Sequence, residues 1–171
     1  MSTDNADKLR MLSTCLSQLD CQREDSTTIE QKTDRKALVQ LYEHLPFQYP
    51  SLFEELLLNY RWDALDLSLL RVKPNRAGED LSGFLSEICA DEYIHEYCIQ
   101  NNFLLFGMGP DVSYDPACFQ VVPTLHPDSY PVMLIDHEDI LCLRKKVRTE
   151  VLATNFESLI EMVLERFGLN S

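Results

Sequence analysis

The chain alternates stretches of helical period with short apolar runs bounded by glycine and proline. Leu9, Leu12, Leu16 and Leu19 fall at helical spacing and predict a short helix, while Gln22 to Thr28 is polar, lacks an apolar period and predicts a linker whose composition allows motion. Leu38, Leu41, Tyr42 and Leu45 follow i, i+3, i+4, i+7, and Pro46 stops the helix they predict. Ser51 with Glu54 has the form of a capping box ahead of the stripe Leu52, Phe53, Leu56, Leu57 and Tyr60. Leu65, Leu67 and Leu69 alternate with polar residues, the period of a half-buried strand that Lys73, Pro74 and Asn75 turn. Trp62, the one tryptophan, sits at that junction and reads as a core or lid residue.

Leu81, Phe84, Leu85 and Ile88, then Ile94, Tyr97 and Cys98, predict an interrupted helix or two consecutive ones. Phe103 to Phe106 is a continuous apolar run closed by Gly107, Gly109 and Pro110, and Ala117 to Val122 is a second run stopped by Pro123. Runs of that length between turn residues predict buried strands, here the centre of a sheet. Val132 to Ile135 predicts a third core strand, Asp136 to Asp139 an acidic turn, and Ile140 to Val147 a further strand ending in an exposed edge at Arg144, Lys145 and Lys146. Thr154 and Glu157 repeat the capping-box pattern before Phe156, Leu159, Ile160, Val163, Leu164 and Phe167, a helix that Gly168 ends.

At 171 residues and 45% hydrophobic composition the chain fits one domain with a real core. The pattern divides it into an N-terminal helix and linker, 1–34, and a domain of mixed helices and strands, 35–171. No stretch approaches the roughly 18 apolar residues of a membrane span, and Met1 to Asp20 lacks the order of a signal peptide, so a cytoplasmic address is expected. Six scattered cysteines without a Cys-x-x-Cys pair predict mostly buried free thiols.

Net charge is −13, and its distribution changes the picture. From Ala77 to Leu143 there is no Lys or Arg, while twelve acids fall there; residues 1–36 carry seven acids and six bases, and residues 144–171 four acids and five bases. A surface built from that middle repels phosphate backbones and favours a basic protein partner, accelerating encounter. Nucleic acid is disfavoured as a ligand. Glu87, Asp91, Glu92, Glu96, Asp111, Tyr114, Asp115, Asp136, Glu138 and Asp139 are the candidate partner-binding residues.

Chemistry has less to draw on. Glycine-rich phosphate loops and a Gly-x-Ser-x-Gly elbow are absent, and the position four residues after His95 holds Ile99 rather than a second histidine. Asp111, Asp115, His126 and His137 remain as a loop-borne set for a metal-dependent hydrolase, although acids in such loops are more often turn formers.

The succession of a Leu45-Pro46 helix end, the Tyr49-Pro50-Ser51-Leu52-Phe53 helix entry, the Phe103-Leu104-Leu105-Phe106 strand, the Tyr114-Asp115-Pro116-Ala117-Cys118-Phe119 return, the Pro131-Val132 strand and the Ala153-Thr154-Asn155-Phe156 helix start resembles the SUKH superfamily of fungal cell-wall-assembly regulators and bacterial immunity proteins. The likeness covers about residues 37–167. It departs from the family pattern in loop 107–113, which lacks a Gly-Asp pair, and at Gln120, where an Asp is common. The resemblance implies an α+β domain, with a single mostly antiparallel sheet of about four to six strands and helices packed around it, and without catalytic activity or cofactor. Its role would be to bind: as an immunity protein neutralising a basic toxin such as a nuclease, with a regulatory scaffold as the alternative. A monomer or weak homodimer is expected.

Overall fold

A computed structural model describes residues 3–22, 28–78, 80–110 and 113–168. The two apolar runs at the middle of the chain pair as antiparallel strands β5 (Phe103–Met108) and β6 (Pro116–Gln120). They occupy the centre of a six-stranded sheet in the order β3-β4-β5-β6-β7-β8, all neighbours antiparallel, completed by β3 (Leu65–Asp66), β4 (Arg71–Val72), β7 (Val132–Ile135) and β8 (Thr149–Ala153). The α+β class and the antiparallel sheet are as the resemblance implies. A separate two-stranded ribbon joins β1 (Ile29–Glu30) to β2 (Tyr60–Arg61); two residues are too few to show a period in the sequence.

Because the sheet is a meander, its helices lie in the connections. α4 (Ser82–Ile88) and α5 (Glu92–Gln100) fill the path from β4 to β5, a short 3-10 turn (Pro127–Ser129) lies between β6 and β7, and α6 (His137–Leu141) lies between β7 and β8. Consecutive strand residues point to opposite faces, and Cys118 and Phe119 show what covers each. Phe119 stacks on Phe106 at 4.3 Å, and both meet Phe53 of α3 (Ser51–Asn59) and Phe156 of α7 (Phe156–Arg166). Cys118 faces the other way, its Sγ 3.7 Å from Cys98 of α5. One face is therefore sealed by an aromatic cluster under α3 and α7, and α5 lies on the other.

α1 (Thr3–Gln22) is longer than the short helix its leucines predict. It packs against α7 and α3, and Leu12, Cys15, Leu16 and Leu19 are buried in the same core as the sheet. Burial pushes the Cys15 thiol up to about 12. The predicted linker lies mostly outside the described residues. All six cysteines are free; Cys15, Cys98 and Cys118 are buried, whereas Cys21 and Cys142 are exposed.

Several local expectations are corrected. Neither capping box forms. The Ser51 N–H donates instead to Asp128 Oδ1 at 2.5 Å, and Glu54 accepts from the Tyr42 hydroxyl at 2.6 Å at the end of α2 (Lys36–Tyr42). At α7 the cap is Asn155, one residue later than Thr154, accepting from the Ser158 N–H at 2.8 Å. The strand expected over Leu65–Leu69 stops at Asp66, whose side chain accepts from the Ser68 N–H and turns the chain with Ser68 at φ 66°. The acidic turn is the cap and first turn of α6, and the strand expected at Ile140–Val147 forms instead at Thr149–Ala153. Ile140 is buried as a helical residue, and Arg144 and Arg148 after it fold back onto Asp139.

The junction after α3 accounts for two of the buried polar residues, Arg61 and Asn75. Arg61 and Asn75 both donate to the Leu57 carbonyl, at 2.6 and 3.1 Å, satisfying an acceptor in the last turn of α3. Trp62 is buried beside them with its Nε1–H on the Lys73 carbonyl at 2.9 Å, the core role its position predicts.

Candidate functional site

On the α5 side of the sheet, a cleft of about 360 Å³ opens where α4 meets α5 and where both approach β5 and α6. Its wall is Ile88, Ile94, Leu105, Met108, Pro116 and Leu141. Sequence places these side chains for local reasons. Ile88 and Ile94 are apolar positions of two helices separated by Cys89-Ala90-Asp91, where Asp91 starts α5 by accepting the Ile94 N–H at 3.0 Å. Leu105 and Met108 flank a bulge in β5 between Leu105 and Gly107. Gly107 is required there, since a Cβ on it would sit 2.5 Å from the Arg71 carbonyl oxygen of β4. A second cleft of about 270 Å³, bordered by Asp63, Asp66 and Arg71, shares Lys73, Glu87 and Met108 with the first.

Of the candidate residues, Glu87, Asp91 and Tyr114 line the cleft. Glu87 is ion-paired with Arg76, which also holds Asp63 at 3.0 Å. Glu92 and Glu96 are exposed on α5, and Asp91, Glu92 and Glu96 form no ion pair with a described residue; Glu96 accepts only from the Gln100 amide at 2.9 Å. Tyr114 is 71% exposed, its ring edge-on to His137 at 6.0 Å. Glu138 is exposed in the first turn of α6. Asp111 lies outside the described residues.

Asp136 and Asp139 are engaged within the fold. Asp136 caps α6 through the Asp139 N–H at 2.8 Å and pairs with Arg148 at 2.6 Å. Asp139 is 1% exposed, its carboxylate held by Arg144 at 3.0 Å and Arg148 at 2.8 Å. The Arg148 hydrogen bonds outweigh burial and keep the Asp139 carboxyl below its ordinary range.

Asp115 binds His137 twice, accepting from its backbone N–H at 3.0 Å and meeting ring Nδ1 at 2.7 Å. Burial pushes this carboxyl up, but the hydrogen bonds from the His137 backbone and ring, with that of Ser113, prevail and hold it below the usual value. An ionised carboxylate only accepts, so Nδ1–H of His137 donates to Asp115, and the ring so held lines the cleft. That geometry orients a base or a hydrogen-bonding group. Among the described residues, the side chains lining the cleft include no serine, threonine or cysteine.

The four-residue hydrolase set is not assembled among the described residues. His126 lies at the start of the 3-10 turn, 3.5 Å from Asp128, and that turn packs on α3 and α7. No described group of three or more His, Cys, Asp or Glu side chains is arranged to hold a metal. No helix among the described residues is long and apolar enough to cross a membrane.

Charge patterning pointed to the rim of the cleft and missed its wall. Ile88, Ile94 and Leu105 are themselves buried core residues, so their apolar signature does not mark the cleft they border. Lys73 reads in the sequence as part of a turn, and among the described residues it is the one Lys or Arg lining the cleft. Comparison with protein-family models, curated proteins and solved structures finds no match to this chain.

Proposed function

We propose that this chain is a non-enzymatic protein-binding module that receives a basic partner on the face formed by α5, α6 and the cleft between them. The observation that carries this reading is the juxtaposition of an open apolar cleft with Asp91 at its rim and with Glu92 and Glu96 exposed further along α5, none of the three ion-paired with a described residue. Interfaces combine an apolar centre with a polar rim, and uncompensated charge on one partner selects the opposite charge on the other. An immunity role against a basic toxin such as a nuclease is consistent with that arrangement, because an acidic face can occlude a basic nucleic-acid groove without chemistry. A regulatory scaffold would use the same face on a different basic partner.

The test is a panel of purified basic nuclease domains, assayed for inhibition by the chain and for association rate at low and at physiological salt. A cognate domain is inhibited at one-to-one stoichiometry, and the paired reversal Glu92→Lys with Glu96→Lys slows association about tenfold at low salt. A panel in which no domain is inhibited contradicts the immunity role. A bound domain whose association rate the reversal leaves unchanged contradicts the acidic face.

A further inference from the structure

Resting on that reading, we infer that the cleft is the anchor pocket of the face and takes an apolar side chain from an amphipathic, lysine- or arginine-bearing segment of the partner. Two large side chains at its mouth have no cover: Tyr114 is 71% exposed and Leu141 54% exposed, both lining the same cavity. Exposed apolar groups gathered around a cavity mark an interaction site, whereas scattered ones do not, and tyrosine is among the residues that concentrate binding energy. The cavity falls within the roughly 300–1000 Å³ range of ligand sites. Its wall is aliphatic, so the group that fills it is apolar.

Charge fixes what flanks that group. Asp91 lies on the rim, Glu92 follows it on α5, and Glu138 follows His137 on α6; all three are exposed. Glu87 is already neutralised by Arg76, and Lys73 marks the end of the cleft toward β4. Basic residues of the segment are therefore directed to the α5–α6 side, and its apolar residue enters between them. A purely cationic segment leaves the cavity unfilled, and an acidic one meets Asp91, Glu92 and Glu138 head on.

Three amidated synthetic peptides serve as probes: one of leucine and lysine at helical spacing, one with serine replacing every leucine, and one with glutamate replacing every lysine. Affinity is read by fluorescence anisotropy and site by methyl NMR of the full chain. The leucine–lysine peptide is expected to bind and to move the methyl signals of Ile88, Ile94 and Leu141. The serine–lysine peptide should bind at least about tenfold more weakly and leave those methyls in place, and the acidic peptide should not bind. Leu141→Lys, an exposed position that the core does not need, should weaken the leucine–lysine peptide about tenfold. Binding without methyl shifts, equal affinity for the serine–lysine peptide, or indifference to Leu141→Lys overturns the anchor pocket. Methyl shifts with affinity unchanged by Glu92→Lys and Glu96→Lys would instead overturn the acidic-face reading beneath it.

Discussion

Asp139 shows how a residue read as surface charge becomes part of the frame. Its carboxylate is buried against Arg144 and Arg148, and Asp136 caps α6 while pairing with the same Arg148. With its folded pKa depressed, Asp139 contributes stability that is present above its unfolded value, about 4, and lost as pH falls through the folded value. Asp115, held by His137, has the same sign. Thermal melts should therefore show the midpoint dropping as pH is taken below about 4. Asp139→Asn should lower the midpoint at neutral pH and flatten that acid limb, because the group that loses its charge is gone. A limb as steep as that of the unmodified chain would assign the acid sensitivity elsewhere. None of this is visible in the sequence, where Asp136 to Asp139 reads as one acidic turn; of the arginines that bind Asp139, Arg144 falls inside the stretch predicted as strand and Arg148 just past its end.

At the scale of elements, the long apolar periods were legible and their ends were not. β5, β6, β7, α3 and α7 stand where the pattern predicts, since burial on one or both faces leaves a period that local context cannot disguise. Caps depend on which oxygen reaches an N–H in space. The N-terminus of α3 is capped from 77 residues away by Asp128 rather than by its own Ser51. Asp128→Ala should accordingly cost about 1 kcal/mol in denaturant unfolding and Ser51→Ala less than about 0.5 kcal/mol. The reverse order would restore the capping box. Gly107 reads in sequence as a turn former, and the structure gives it a different task, letting β4 approach the bulge of β5. Gly107→Ala should destabilise by about 1–3 kcal/mol through a clash with the Arg71 carbonyl, measured the same way. A neutral substitution would show that β4 can yield.

For the whole molecule, folding redistributes a charge pattern that the sequence presents as a block. The middle of the chain is free of bases, yet Arg76 reaches Glu87, and Arg144 and Arg148 reach Asp136 and Asp139 from outside it. Among the described residues, what survives at the surface without an ion pair is narrower than the block: Asp80 ahead of α4, Asp91, Glu92 and Glu96 on α5, and Glu138 on α6. The candidate site was legible as acidity and as a helix pair, and its apolar wall was not, because a cleft residue and a core residue have the same period. The resulting claim is that position, beyond total charge, governs encounter with a basic partner. Stopped-flow association of the leucine–lysine peptide at low salt tests it directly, comparing Glu92→Lys with Glu96→Lys against a control of equal net charge, Glu43→Lys with Glu150→Lys, at two other exposed positions. The account predicts an association rate about tenfold lower for the α5 pair and nearly unchanged for the control. Equal slowing by both pairs, or slowing by neither, would contradict it.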